Sequence, residues 1–140
     1  MTQEDKKLLL KDLCARLPYM PKIRIIYQQQ GIKGTDEGNV SCDAIEHVVN
    51  DLRNGIITDI RIYLRSMSSM TEEDNLSLSK HIGCSIRAKY GEIYFPNIED
   101  NTLGKWDKIF DWLNKYHFDY RGLIKKGLAI EVTKENNPYK

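Results

Sequence analysis

Residues 56–65 read IITDIRIYLR, and the reading of this stretch decides the fold. Ile56, Ile60, Ile62 and Leu64 fall on one side of a strand of period two, while Asp59, Arg61, Tyr63 and Arg65 fall on the other. A strand buried on both faces is apolar throughout. This one is apolar on one face only, the pattern of a sheet covered on one side by helices and wet on the other.

Working outward, residues 22–30 (KIRIIYQQQ) form a second strand, with Ile23, Ile25 and Tyr27 on one face. The GIKGTDEGN segment that follows holds three glycines and an Asp-Glu pair and reads as a turn or mobile loop. It is no phosphate loop, because no GK[ST] follows and Asp36 with Glu37 would repel an anion. Residues 40–52 fit either a strand (Val40, Cys42, Ala44) or a helix (Ala44, Ile45, Val48, Val49, Leu52), and Asn54-Gly55 reads as a type I′ turn.

Helices flank the strands. In residues 4–17 Leu10, Leu13, Cys14 and Leu17 recur at helical spacing, Asp12 falls on the wet side, Thr2 is the N-cap, and Pro18 and Pro21 stop the helix and turn the chain. Thr71 with Asp74 forms a near capping box that opens a helix over 71–80. Residues 82–89 alternate as a strand, with Glu92–Phe95 as a short return strand. Residues 105–117 are a strong helix with a Trp106, Ile109, Phe110, Leu113, Tyr116 stripe. A short helix over Arg121–Lys126 and an extended LAIEV complete the chain, and residues 131–140 read as a frayed tail. Helices and strands do not alternate strictly. The expectation is therefore one α+β domain over residues 1–140, with an antiparallel sheet of about three to five strands packed by the N-terminal and the 105–117 helices.

Composition narrows the function classes. The 140 residues carry 21 Lys and Arg against 20 Asp and Glu, a net charge of +1, so gross charge does not point to a polyanion. The longest apolar runs span three residues, too short for a membrane span or a signal-peptide core. Cys14, Cys42 and Cys84 are odd in number and unpaired in spacing, which places the chain in a reducing cytoplasm. Cys14 and Cys84 read as buried and Cys42 as exposed.

No cofactor or metal site is read. His81-x-x-Cys84 is at most half of a zinc pattern. His117 and Asp119 fit a general base with its orienting carboxylate, which keeps a hydrolase among the alternatives, although the plainer reading makes His117 a helix end and Asp119 a cap. LIKKGLAIEV has the look of a winged-helix ending without the helix-turn-helix before it. Arg61, Tyr63 and Arg65, joined by Arg87 and Lys89 if the strands are neighbours, place cations around an aromatic ring on the solvent face. That is the equipment of a single-stranded nucleic-acid or nucleotide platform. Met67 and Met70 add adaptable thioethers in the adjacent loop.

Three segments carry a resemblance: YLRSMSSMTEED (Tyr63–Asp74), HFDYRGLIKKGLAIE (His117–Glu131) and EDKKLLLKDLCARLPY (Glu4–Tyr19). Together they resemble a family of small proteins found widely in Bacteroidetes genomes and their phages or mobile elements. Ser66 departs from that pattern's usual proline, Lys125 from its usual acid, and the tail lacks its Pro-Glu-Gly ending. The resemblance implies a bacterial or phage cytoplasmic setting and a shared surface that includes Arg65, Met67 and Arg121, but no activity. The reading is thus a non-enzymatic interaction protein that modulates a host or phage process. Its protein partner would be held by Arg61, Tyr63, Arg65, Met67, Met70 and Arg121. The alternative is nucleotide or single-stranded nucleic-acid binding on the Arg61/Tyr63/Arg65 face.

Overall fold

A computed structural model describes residues 1–83, 87–89, 92–94 and 102–139, with the side chains of 87–89, 92–94 and 102–104 left aside. The elements are α1 (Gln3–Arg16), β1 (Lys22–Gln29), β2 (Ile32–Asn39), α2 (Ile45–Arg53), β3 (Ile57–Leu64), α3 (Glu72–Ile82), β4 (Arg87–Lys89), β5 (Glu92–Tyr94), α4 (Thr102–Lys115) and β6 (Ala129–Glu131). The fold is α+β. Among the described residues no helix is long and apolar enough to cross a membrane. The chain divides into two compact units, residues 1–64 with 121–140, and residues 65–120.

The first unit is built on a four-stranded sheet of order β2-β1-β3-β6. β1 pairs antiparallel with both β2 and β3, whereas β6 joins β3 in parallel, so the sheet is mixed rather than purely antiparallel. Ile62, Leu64 and Ile60 are fully buried as the alternation requires. Ile57 replaces Ile56 at the next inward place, because Thr58 is an extra residue: Ile26 pairs with Asp59 but Tyr27 pairs with Ile57.

The GIKGTDEGN segment is not a loop. Gln30 and Gly31, at φ 51° and 79°, form the two-residue turn, and Ile32–Asn39 pairs with β1 along its whole length. Backbone hydrogen bonds carry this pairing, so weak strand propensity does not prevent it. Gly34 lies opposite Tyr27, and a Cβ there would overlap the hydroxyl end of the tyrosine side chain.

α1 begins with a full capping box: Asp5 N–H donates to Thr2 Oγ1 at 3.0 Å, and Thr2 N–H to Asp5 Oδ2 at 3.1 Å. Its buried stripe is Leu9, Asp12, Leu13 and Arg16, one residue away from the expected one, and Cys14 is exposed. The shift is possible because Asp12 and Arg16 neutralise each other at zero exposure. Leu9 and Leu13 join Ile23, Ile60, Ile62, Leu64, Leu52 and Leu123 in the core, with Leu10 and Leu17 packed at its edge. Residues 45–53 are helical, which settles the 40–52 ambiguity. Asn54-Gly55 ends that helix instead of turning a hairpin: Ile56 N–H reaches Asp51 O at 2.9 Å, with Gly55 at φ 75°.

The expected 121–126 helix is a set of turns, with Gly122 and Gly127 at φ 74° and 72°. The tail does not fray. Tyr139 Oη accepts from Lys22 N–H at 3.0 Å and donates to Tyr63 O at 2.8 Å, while Asn136 Nδ2 holds Glu131 O at 3.0 Å.

The second unit holds α3, α4 and the β4–β5 hairpin. α3 carries the Thr71/Asp74 capping box and runs to Ile82, past the expected end at 80. Gly83 at φ 80° stops it, so Ile82 packs from a helix and not from a strand. Cys84 and the rest of 84–86, Tyr90-Gly91 and Phe95-Pro96 lie outside the described residues. The α4 stripe of Ile109, Trp112 and Leu113 joins Leu78, Ile82 and Phe118 in one cluster within this unit.

Candidate functional site

The residues singled out in the sequence are held by internal partners. On β3, Arg61 is exposed and its Nε donates to Asp59 Oδ2 at 3.0 Å. Tyr63, expected to face solvent, is 4% exposed. Its hydroxyl donates to Glu37 Oε1 at 2.7 Å and accepts from Arg24 Nη2 at 2.7 Å, and the Arg24 guanidinium lies 5.6 Å from the ring centre. Arg24 Nε in turn donates to Glu37 Oε1 at 2.6 Å. The bond from Tyr63, then the bond from Arg24, hold the Glu37 carboxyl below its usual range. Burial, then the bond to Glu37, pushes the Tyr63 phenol up. A base-stacking platform needs an open ring, and this ring is covered.

In the second unit Arg65 donates to Asp74 Oδ2 at 2.7 Å and covers the Phe118 ring at 4.1 Å. Burial raises the Asp74 carboxyl, but the Thr71 backbone N–H and Arg65 outweigh it and hold the group low. Met67, which opens a short 3₁₀ turn, and Met70, which follows it, are partly buried against the cluster of Leu78, Ile109, Trp112 and Phe118. His117 is 7% exposed and ends α4 in the left-handed region at φ 62°. Its N–H reaches Asn114 O at 3.2 Å, and Phe118 N–H reaches Leu113 O at 2.9 Å. His117 thus stands at the helix end, and there it fills the left-handed backbone position that glycine usually takes. Asp119 donates its N–H to Arg65 O at 2.8 Å and starts no helix. His81 Nε2 stands 3.7 Å from Asp111 Oδ2.

Arg121 belongs to the first unit and reaches Asp12 Oδ1 at 3.1 Å. Arg16 reaches both oxygens of the same carboxylate, at 2.8 and 3.0 Å. One acid thus serves two guanidiniums. The sequence signal for it, Asp12 and Arg16 at i, i+4, is indistinguishable from an exposed helix pair.

A different surface of the first unit combines charge with a hollow. Gln3, Lys6, Lys7 and Leu10 on α1 face Val49, Leu52 and Arg53 on α2 across a groove of about 210 Å³. Leu10, Val49 and Leu52 supply its apolar lining, and Lys6, Lys7 and Arg53 are its charged groups. No acid lines it, and Asp5, a neighbour on α1, is committed to its cap. Among the described residues none of the three cations makes an ion pair. Sequence reading passed over the groove because it assigned Leu10 to the core stripe. A second hollow of about 150 Å³ is lined by Ile23, Ile25, Asp36, Gly38, Ala44 and Val48 among others. Neither groove is lined by His117 or Asp119.

Comparison with protein-family models, with curated proteins and with solved structures gives no match.

Proposed function

We propose that this chain is a non-enzymatic interaction protein that holds an acidic, leucine-bearing segment of a partner protein in the α1–α2 groove. The observation that carries the reading is the groove's composition: an aliphatic lining edged by Lys6, Lys7 and Arg53, with no carboxylate among its lining residues. Unpaired cations beside an apolar surface favour a ligand that brings both a carboxylate and an alkyl group. The absence of an aromatic side chain from the lining favours a peptide over a nucleic-acid base, which would need a ring to stack upon. The bacterial or phage cytoplasmic setting implied by the family resemblance, and a role in modulating a host or phage process, belong to the same proposal.

The test is a fluorescence-anisotropy titration with a labelled peptide in which one leucine is flanked by glutamates, beside a labelled single-stranded oligonucleotide. Binding of the peptide that weakens with salt, and that falls about tenfold or more (roughly 1.4 kcal/mol) in Lys7→Glu/Arg53→Glu, supports the reading. Equal binding by wild type and variant removes the groove from it. Binding of the oligonucleotide in preference to the peptide overturns the choice of partner.

A further inference from the structure

Among the described residues no strand pairs with the outer edge of β2, and the side chains of that strand are self-complementary. We infer that two copies of this chain pair through β2 about a two-fold axis, joining two four-stranded sheets into one. β2 is the terminal strand of its sheet, eight residues long and exposed along most of its length. The two-residue turn at Gln30-Gly31 fixes which backbone groups face outward. Gln29 and Ile32 flank the turn and bond each other, so Lys33, Thr35 and Glu37, in the alternate positions, present N–H and C=O to the free edge.

A two-fold axis perpendicular to a sheet brings a residue opposite its own copy, which leaves few registers. Centred on Thr35, the pairing sets Lys33 of one copy against Glu37 of the other, twice, with the threonines opposite each other. Opposite charges and paired threonines are the favourable cross-strand partners. The same register sets Ile32, 67% exposed in one copy, against Gly38, where the strand has no side chain to obstruct it. Centred on Asp36, the strand would oppose two aspartates; centred on Gly34, it would set Ile32 against Asp36 and form no ion pair. Lys33 makes no ion pair with a described residue, and Glu37 uses only Oε1 toward Arg24 and Tyr63, which leaves Oε2 for the second copy. About six backbone hydrogen bonds would join the strands at the three outward residues. A second copy is the favoured occupant because a foreign strand has no reason to carry this palindromic Lys-x-Thr-x-Glu order.

Sedimentation equilibrium from micromolar to millimolar concentration tests the inference, with Thr35→Pro and Lys33→Glu as variants. Proline at 35 removes an outward N–H and leaves every bond to β1 in place, so the monomer keeps its fold, as circular dichroism checks. The expected result is a wild-type mass that rises toward twice the monomer's, with self-association weakened at least tenfold in both variants. A wild type that stays monomeric at all concentrations overturns the inference. So does a dimer that persists in Thr35→Pro, since it would use another surface. A monomer whose Lys33, Thr35 and Glu37 amides become protected only when a foreign peptide is added also overturns self-pairing.

Discussion

Removing the carboxylate of Asp12 is expected to be among the most damaging single changes in the first unit. Asp12 and Arg16 both have 0% side-chain exposure, and Asp12 accepts from Arg16 at 2.8 and 3.0 Å and from Arg121 at 3.1 Å. In Asp12→Ala the Arg16 guanidinium stays buried and loses the carboxylate that accepts two of its N–H groups. Arg121, 21% exposed at its side chain, can turn toward water, so Arg16 sets the magnitude. Breaking a buried pair from one side costs about 3–5 kcal/mol, or roughly 10–20 °C in Tm for a chain of this size. The assay is urea unfolding at pH 7 followed by far-UV circular dichroism, with an unchanged m-value as the condition for comparison. The double variant Asp12→Leu/Arg16→Met removes both charges and keeps the volume. It should recover to within about 1 kcal/mol of wild type, because a buried pair hardly exceeds a well-packed apolar replacement. A loss below about 1 kcal/mol in Asp12→Ala would place the pair with solvent-exposed helix pairs and refute the reasoning.

Other outcomes follow from single contacts. Gly34→Ala should destabilise by about 1–3 kcal/mol through the Tyr27 ring, and the loss should shrink in a Tyr27→Ala background, as a double-mutant cycle would show. Burial pushes the Tyr139 phenol up to about 12. An acid group raised on folding contributes stability that is present below the unfolded value near 10 and lost as pH climbs toward 12. Wild type should therefore lose about 2–3 kcal/mol over that window and Tyr139→Phe should lose less, read from urea midpoints at pH 9 through 12. Asp74 is held low by Thr71 and Arg65, so its contribution is present above pH 4 and disappears as the solution is acidified. Asp74→Asn should flatten the acid limb of α3 unfolding, measured by Trp112 fluorescence.

Period and capping made much of the fold legible. The two-residue alternation of 57–64 and the Thr71/Asp74 box each rest on local chemistry that a sequence displays directly. The failures have a common cause, which is that burial depends on partners distant in sequence. Asp12 looks wet until Arg16 and Arg121 are placed on it, and Cys14 looks buried until Leu9 and Leu13 take the core stripe. Tyr63 looks open until Glu37 and Arg24 from two other strands close on its hydroxyl. β2 was hidden for the opposite reason: Ile32–Asn39 has little strand propensity of its own and is held by β1. The α1–α2 groove was illegible because Leu10 packs at the edge of the core and lines the groove as well.

These placements also sort the charges behind the net +1. Arg16, Arg24, Arg61, Arg65 and Arg121 each hold a carboxylate by a guanidinium N–H, and Arg24 and Arg65 also lie over aromatic rings. The planar fork suits such sites, whereas a lysine ammonium prefers water. Asp12, Glu37, Asp59 and Asp74 are consumed in this way, so the balance of formal charge does not describe what the surface offers. Lys6, Lys7 and Arg53 at the groove and Lys33 on the β2 edge make no ion pair with a described carboxylate. On the proposed readings, structure and recognition are carried by different cations. Changing the paired arginines should alter stability at constant binding per folded molecule, and changing Lys7, Arg53 or Lys33 should alter association at constant stability. A variant of Lys7 that unfolded the protein, or of Arg24 that left stability untouched while abolishing binding, would show that this separation is wrong.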